Sequence, residues 1–184
     1  MPFQIDTEKK IFLSSTGNMS YAFAIRENGV PVNLHWGGRI DRLADLTDES
    51  EISWFRISHY NWRAKSSRLE FPAYAPQHHY EPCLKLSSPD RALELKYESY
   101  SLENENHLTI TLRETGCGLI VKLHYELFPE FDLLQRHAEL INESEEDIRV
   151  ENLFSAVWNL PRGDAPRLTT LQGGWGQEYQ VHRT

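Results

Sequence analysis

Cysteine is scarce in this chain: Cys83 and Cys117 are the only two in 184 residues. They stand far apart and in no metal-ligand spacing, which excludes a disulfide scaffold and a zinc-ribbon pattern. Reduced, buried or half-buried thiols are expected instead. Basic residues are outnumbered, 19 Lys and Arg against 27 Asp and Glu, giving a net charge of −8. Such a chain has no general attraction for nucleic acid or for an anionic membrane surface. No apolar run approaches the roughly 18 residues of a membrane span. The polar start, "MPFQIDTEKK", carries no apolar signal core, so a cytoplasmic location is expected. The two Asn-x-Ser sequences at Asn18 and Asn142 then have no glycosylation role. Catalytic signatures are missing too. There is no Gly-x-Ser-x-Gly, neither cysteine sits at a helix start, and Gly173-Gly174-Trp175-Gly176 lacks the lysine of a phosphate loop.

What is present is a period of two. In "YAFAIRENGVPVNLHW", Tyr21, Phe23 and Ile25 share one face. The chain turns at Asn28-Gly29 and resumes with Val30, Val32 and Leu34, a strong hairpin signal. "CLKLSSPDRALELKY" repeats the pattern: Leu84 and Leu86, a Ser-Ser-Pro-Asp turn, then Leu93, Leu95 and Tyr97. In "HLTITLRETGCGLIVKLHYELF" the turn falls at 115–118. Two more strands follow Pro129, separated by the polar stretch 142–147. Short strands with turns every 8–12 residues read as a single all-β domain, an antiparallel β-sandwich. The chain is too short for a (β/α)8 barrel, which needs about 200 residues or more.

The irregular region runs from about Gly37 to Tyr80, with a helical turn expected in "DRLADLTDES". It holds Trp54, Arg56, Trp62 and Arg63, residue types that suit a ligand rim or a protein interface. They suit equally a cap over the open end of the sandwich. The most reactive-looking stretch is "APQHHYEPC". Adjacent histidines on an extended segment point to opposite sides, so His78 and His79 do not share a metal ion, and no metal or cofactor is assigned. His107, His124 and His137 fall in expected strands, where a half-buried, hydrogen-bonded histidine is the ordinary outcome. A His/Glu acid–base pair of the sugar-mutarotase kind is open to so many combinations that no pair is singled out.

Several stretches in order resemble one family. "YAFAI…GVPVNLHWGGRI" is similar to the opening of the amino-terminal domain of glycoside hydrolase family 36, the bacterial-type α-galactosidases. "EFPAY" at 70–74 resembles that family's "EYPAYG", with Ala75 in place of the glycine. "YEPCLKL" lacks one arginine of the family's variant. The run from Leu108 to Pro161 and the close "LTTLQGGWGQEYQVHR" follow the family's order. The resemblance implies a supersandwich akin to mutarotase-like folds, set before a catalytic (β/α)8 barrel that hydrolyses terminal α-galactosides with retention. The catalytic aspartates of that family lie in the barrel, so no catalytic residue is assigned here. On this reading residues 1–184 are a truncated amino-terminal sandwich. Its partners would be the barrel, an α-galactoside in the parent enzyme and further copies in a homo-oligomer. Trp54, Arg56, Trp62 and Arg63 would be rim or interface candidates. The rival readings are a free-standing carbohydrate-binding module and a mutarotase-like epimerase.

Overall fold

Two four-stranded antiparallel sheets absorb most of the alternating segments. The computed structural model describes residues 2–46, 68–74, 81–87, 92–114, 116–160, 167–177 and 179–183. Trp54, Arg56, Trp62, Arg63, His78 and His79 lie outside the described residues.

The first sheet joins β1 (Phe3–Asp6), β2 (Ile11–Ser15), β3 (Met19–Ile25) and β4 (Pro31–Gly38) in sequence order. The β3–β4 turn needs Gly29, which has φ +80° and where an added Cβ would lie 3.2 Å from Lys96 Cβ. A glycine adopts that left-handed geometry without the steric cost of a Cβ. The second sheet joins β6 (Leu95–Asn104), β7 (His107–Glu114), β8 (Leu119–Phe128) and β9 (Leu133–Asn142). Its β7–β8 hairpin forms where the sequence places it, with Gly118 at φ +68°. A 3-10 turn, Pro129–Phe131, joins β8 to β9, and Asp132 closes it in the left-handed region.

Between the sheets lies the main core. Phe12, Tyr21 and Phe23 face Leu108, Ile110, Leu123 and Tyr125 from the other sheet. Phe23 stacks on both Phe12 and Tyr125, at centroid distances of 4.9 and 4.8 Å. Each such side chain removed from water contributes about 1.5–3 kcal/mol. The first sheet is also covered on its far side. There Leu13, Ala22, Ala24, Val32 and Leu34 pack against Ile40, Leu43, Leu46 and Leu69. That double coverage explains why β3 is buried along almost its whole length and reads as a nearly continuous apolar run. The expected helical turn is the 3-10 segment Leu43–Asp45, on this outer layer.

One expected hairpin does not form. β5 (Leu84–Leu86) pairs with β10 (Val150–Leu153), not with the Leu93–Tyr97 segment that follows it. The reason is geometric: Leu93 N–H is already bonded to the Tyr74 carbonyl, and β6 takes β7 as its ladder partner. Beyond β10, β11 (Thr169–Gln172) and β12 (Gln180–Arg183) form a small hairpin. The glycine-rich Gly173–Gly176 stretch lies in its connection, with Trp175 99% exposed.

Candidate functional site

Two polar constellations stand out, one sealed between the sheets and one on an outer face. The sealed one begins with a phase problem in β9. Leu134, Arg136, Ala138 and Leu140 share the inward side of that strand, so a guanidinium enters the core. Its partner is Glu70, fully buried on the segment that bridges β4. Arg136 Nη2 lies 2.7 Å from Glu70 Oε1. The Tyr21 hydroxyl sits 2.7 and 2.8 Å from the two oxygens of Glu70, and Tyr125 donates to Oε1 at 2.9 Å. Arg136 donates to the Tyr21 hydroxyl at 2.9 Å, the Val157 carbonyl at 3.1 Å and the Glu70 carbonyl at 3.2 Å. The guanidinium also lies about 5 Å from the ring centroids of Tyr21, Tyr125 and Trp158.

The electrostatics follow from this enclosure. Burial, reinforced by the Glu70 charge, pushes both tyrosine hydroxyls well above their usual range. For Arg136 burial opposes the charge, but Glu70 and the two tyrosines outweigh it and hold the guanidinium above its ordinary value. Burial likewise pushes the Cys83 thiol up to about 12, with Arg136 opposing and Glu70 assisting. Glu70 has both oxygens occupied and no exposed surface, so it cannot reach a substrate as a general acid or base. The constellation ties the sheets together: Tyr21 comes from the first, and Tyr125 and Arg136 from the second. Glu70 begins "EFPAY" and Arg136 lies in the long run after Leu108, so two stretches that carry the family resemblance meet here.

The second constellation is a row of histidines on the outward side of β6–β9. Strand register places Thr109 opposite His124 and His124 opposite His137. The His124 and His137 rings stack at 4.4 Å, 6° from parallel. His107 Nε2 lies 3.1 Å from His124 Nδ1. Glu103 Oε2 is 3.2 Å from His107 Nδ1, and Glu139 Oε2 is 3.5 Å from His124 Nε2. Burial first, then the neighbouring His137, holds the His124 imidazolium below its ordinary value, with Glu139 opposing. Sequence reasoning assigned these histidines separately to strands and did not bring them together. The available signal was their shared outward phase, opposite to Leu108, Leu123 and Tyr125.

Fold and interior together define an antiparallel β-sandwich domain locked by a buried ion pair. Its nearest functional context comes from sequence. The chain belongs to the family described as the glycosyl hydrolase family 36 N-terminal domain, whose family model matches residues 29–184. It is 26% identical over 196 residues to "Probable alpha-galactosidase C" of Aspergillus flavus, covering 95% of this chain and 25% of that protein. "Probable alpha-galactosidase G" of Aspergillus terreus is 24% identical over 192 residues, covering 94% of this chain and 25% of that one. Among solved structures, the α-galactosidase from Lactobacillus brevis superposes with a TM-score of 0.82 at 19% identity, over 98% of this chain and 28% of that one. The GH36 α-galactosidase AgaB from Geobacillus stearothermophilus gives 0.79 at 20% identity, over 100% and 28%. These similarities bear out the sandwich architecture. The chain spans about a quarter of the length of the curated relatives it matches. Among the described residues, no helix is long and apolar enough to cross a membrane.

Proposed function

We propose that this chain acts as the amino-terminal, non-catalytic β-sandwich of an α-galactosidase-like glycoside hydrolase, and that its role is to dock and support a catalytic domain. On this reading residues 1–184 form one sandwich unit, the parent enzyme cleaves terminal α-galactosides in the cytoplasm, and copies associate as a homo-oligomer. Trp54, Arg56, Trp62 and Arg63 are then rim or subunit-contact residues, a role that rests on residue type alone.

The observation that carries the docking role is a concentration of exposed large apolar side chains after β9. Leu160, Leu168, Leu171, Trp175, Tyr179 and Val181 are all exposed. Isolated exposed apolar residues are ordinary, but a concentration in one segment marks an interaction surface. Family membership supplies the occupant, because the relatives named as α-galactosidases carry far more chain than this sandwich.

Sedimentation velocity of the full chain tests the docking surface. With its occupant absent, the chain should self-associate as concentration rises. Leu171→Ser combined with Trp175→Ser should reduce that association without lowering stability. A wild-type chain that stays monomeric at high concentration and binds no hydrophobic dye would remove the support for docking.

A further inference from the structure

We propose that the outward face of the β6–β9 sheet carries a divalent-cation site, with Glu103, His107 and His124 as ligands for a borderline ion such as Zn2+. The site is independent of the docking role and faces away from the core shared by the two sheets.

Interatomic distances favour the site. One donor atom from each of the three residues lies within 4.8 Å of the other two. The nitrogens of His107 and His124 are 3.1 Å apart. Two nitrogens bound at about 2.0–2.1 Å around a tetrahedral Zn2+ lie roughly 3.3 Å apart, so little movement is needed.

The donor atoms also face one another. His107 Nε2 and His124 Nδ1 share a single hydrogen bond, in which one nitrogen donates and the other accepts. A cation entering between the rings takes both lone pairs once His107 carries its N–H on Nδ1. Glu103 supplies the third donor: its Oε2 lies 3.2 Å from His107 Nδ1, and its Oε1 accepts from the Thr109 hydroxyl, which is itself 3.2 Å from His124 Nδ1. Glu139, 3.5 Å from His124 Nε2, is then the outer partner that orients that ring.

The site is also rigid and accessible. The donors come from three paired strands, and the His137 ring stacks on His124 and fixes its plane. His107 and His124 side chains are 16% and 11% exposed while Glu103 is 51% exposed. An ion held there is reachable from solvent and completes its shell with water. The donor set of imidazole and carboxylate suits Zn2+, Ni2+ or Cu2+ in preference to Mg2+ or Ca2+.

The test uses the full chain stripped with EDTA and titrated with ZnCl2 by calorimetry, with thermal unfolding in parallel. One equivalent should bind and raise the melting temperature. His107→Ala, His124→Ala and Glu103→Gln should each weaken binding by about tenfold or more, while His182→Gln should leave it unchanged. Glu103→Gln is nearly isosteric on an exposed side chain, so it keeps the test valid if a histidine variant folds poorly. With Co2+ the visible absorption should lack a thiolate charge-transfer band. Absence of saturable binding would overturn the proposal. So would unchanged affinity in both His107→Ala and His124→Ala, or a thiolate band that moves the ion to a cysteine.

Discussion

Replacing Glu70 with glutamine removes one charge from the buried tie and little else. The side chain keeps its size and one carbonyl oxygen, which can still accept from Tyr21 or Tyr125. What changes is Arg136, whose side chain is only 2% exposed and loses its counter-ion at 2.7 Å. Its remaining acceptors are the Val157 and Glu70 carbonyls and the Tyr21 hydroxyl, all neutral. Leaving one member of a buried ion pair uncompensated costs about 3–5 kcal/mol, a large share of the roughly 5–15 kcal/mol that holds a domain folded. Urea unfolding followed by tryptophan fluorescence should therefore show Glu70→Gln with a lower midpoint and an unchanged slope. Arg136→Met should cost a comparable amount, because Glu70 then keeps only tyrosine donors. The double variant should be more stable than the sum of the two losses predicts, since no lone charge remains. A Glu70→Gln loss below about 1 kcal/mol, within the range of exposed pairs, would refute the reading of this pair as the tie between the sheets.

Stability should fall as metal-free protein is taken below neutral pH. The folded chain holds His124 below its ordinary value of 6.5, through burial and His137. The unfolded chain therefore takes up that proton first, and stability is lost as pH falls through 6.5 and levels off below the folded value. His107, His137, Glu103 and Glu139 surround the same ring, and Lys122 pairs with Glu139. Thermal unfolding in EDTA across this window should show the slope, and His124→Gln should flatten it. The two thiols should separate in a disulfide-exchange titration at neutral pH. Cys83 is buried and its thiol pushed up to about 12, so it should react only on unfolding, while half-buried Cys117 reacts in the native chain. Two equally fast thiols would contradict the burial of Cys83 beside Phe71 and Leu84.

Local patterns were legible in the sequence and long-range ones were not. The Asn28-Gly29 turn and the β7–β8 hairpin join neighbours in the chain, and turn chemistry with alternation fixes both. β5 is three residues long and pairs with a strand more than sixty residues away, so nothing nearby could announce β10 as its partner. The same limit applied to the polar clusters. Arg136 was visible as a charge in the inward phase of β9, which is a signal for a buried partner. Its identity as Glu70 depended on the first sheet and the 68–74 segment closing over the core. The histidine row depended on register: Pro129–Phe131 and the left-handed Asp132 set β9 so that His137 faces His124. A slip of one residue would put His137 in the core and Arg136 in solvent.

The role proposed for this sandwich is to support a catalytic domain without catalysing the reaction itself. The most direct measurement mixes the purified chain with an aryl α-galactoside and, separately, with freshly dissolved α-galactose. The expected result is no release of the aryl group and no acceleration of mutarotation. Release of the aryl group would contradict the claim outright, and faster mutarotation would assign the chain an epimerase activity of its own.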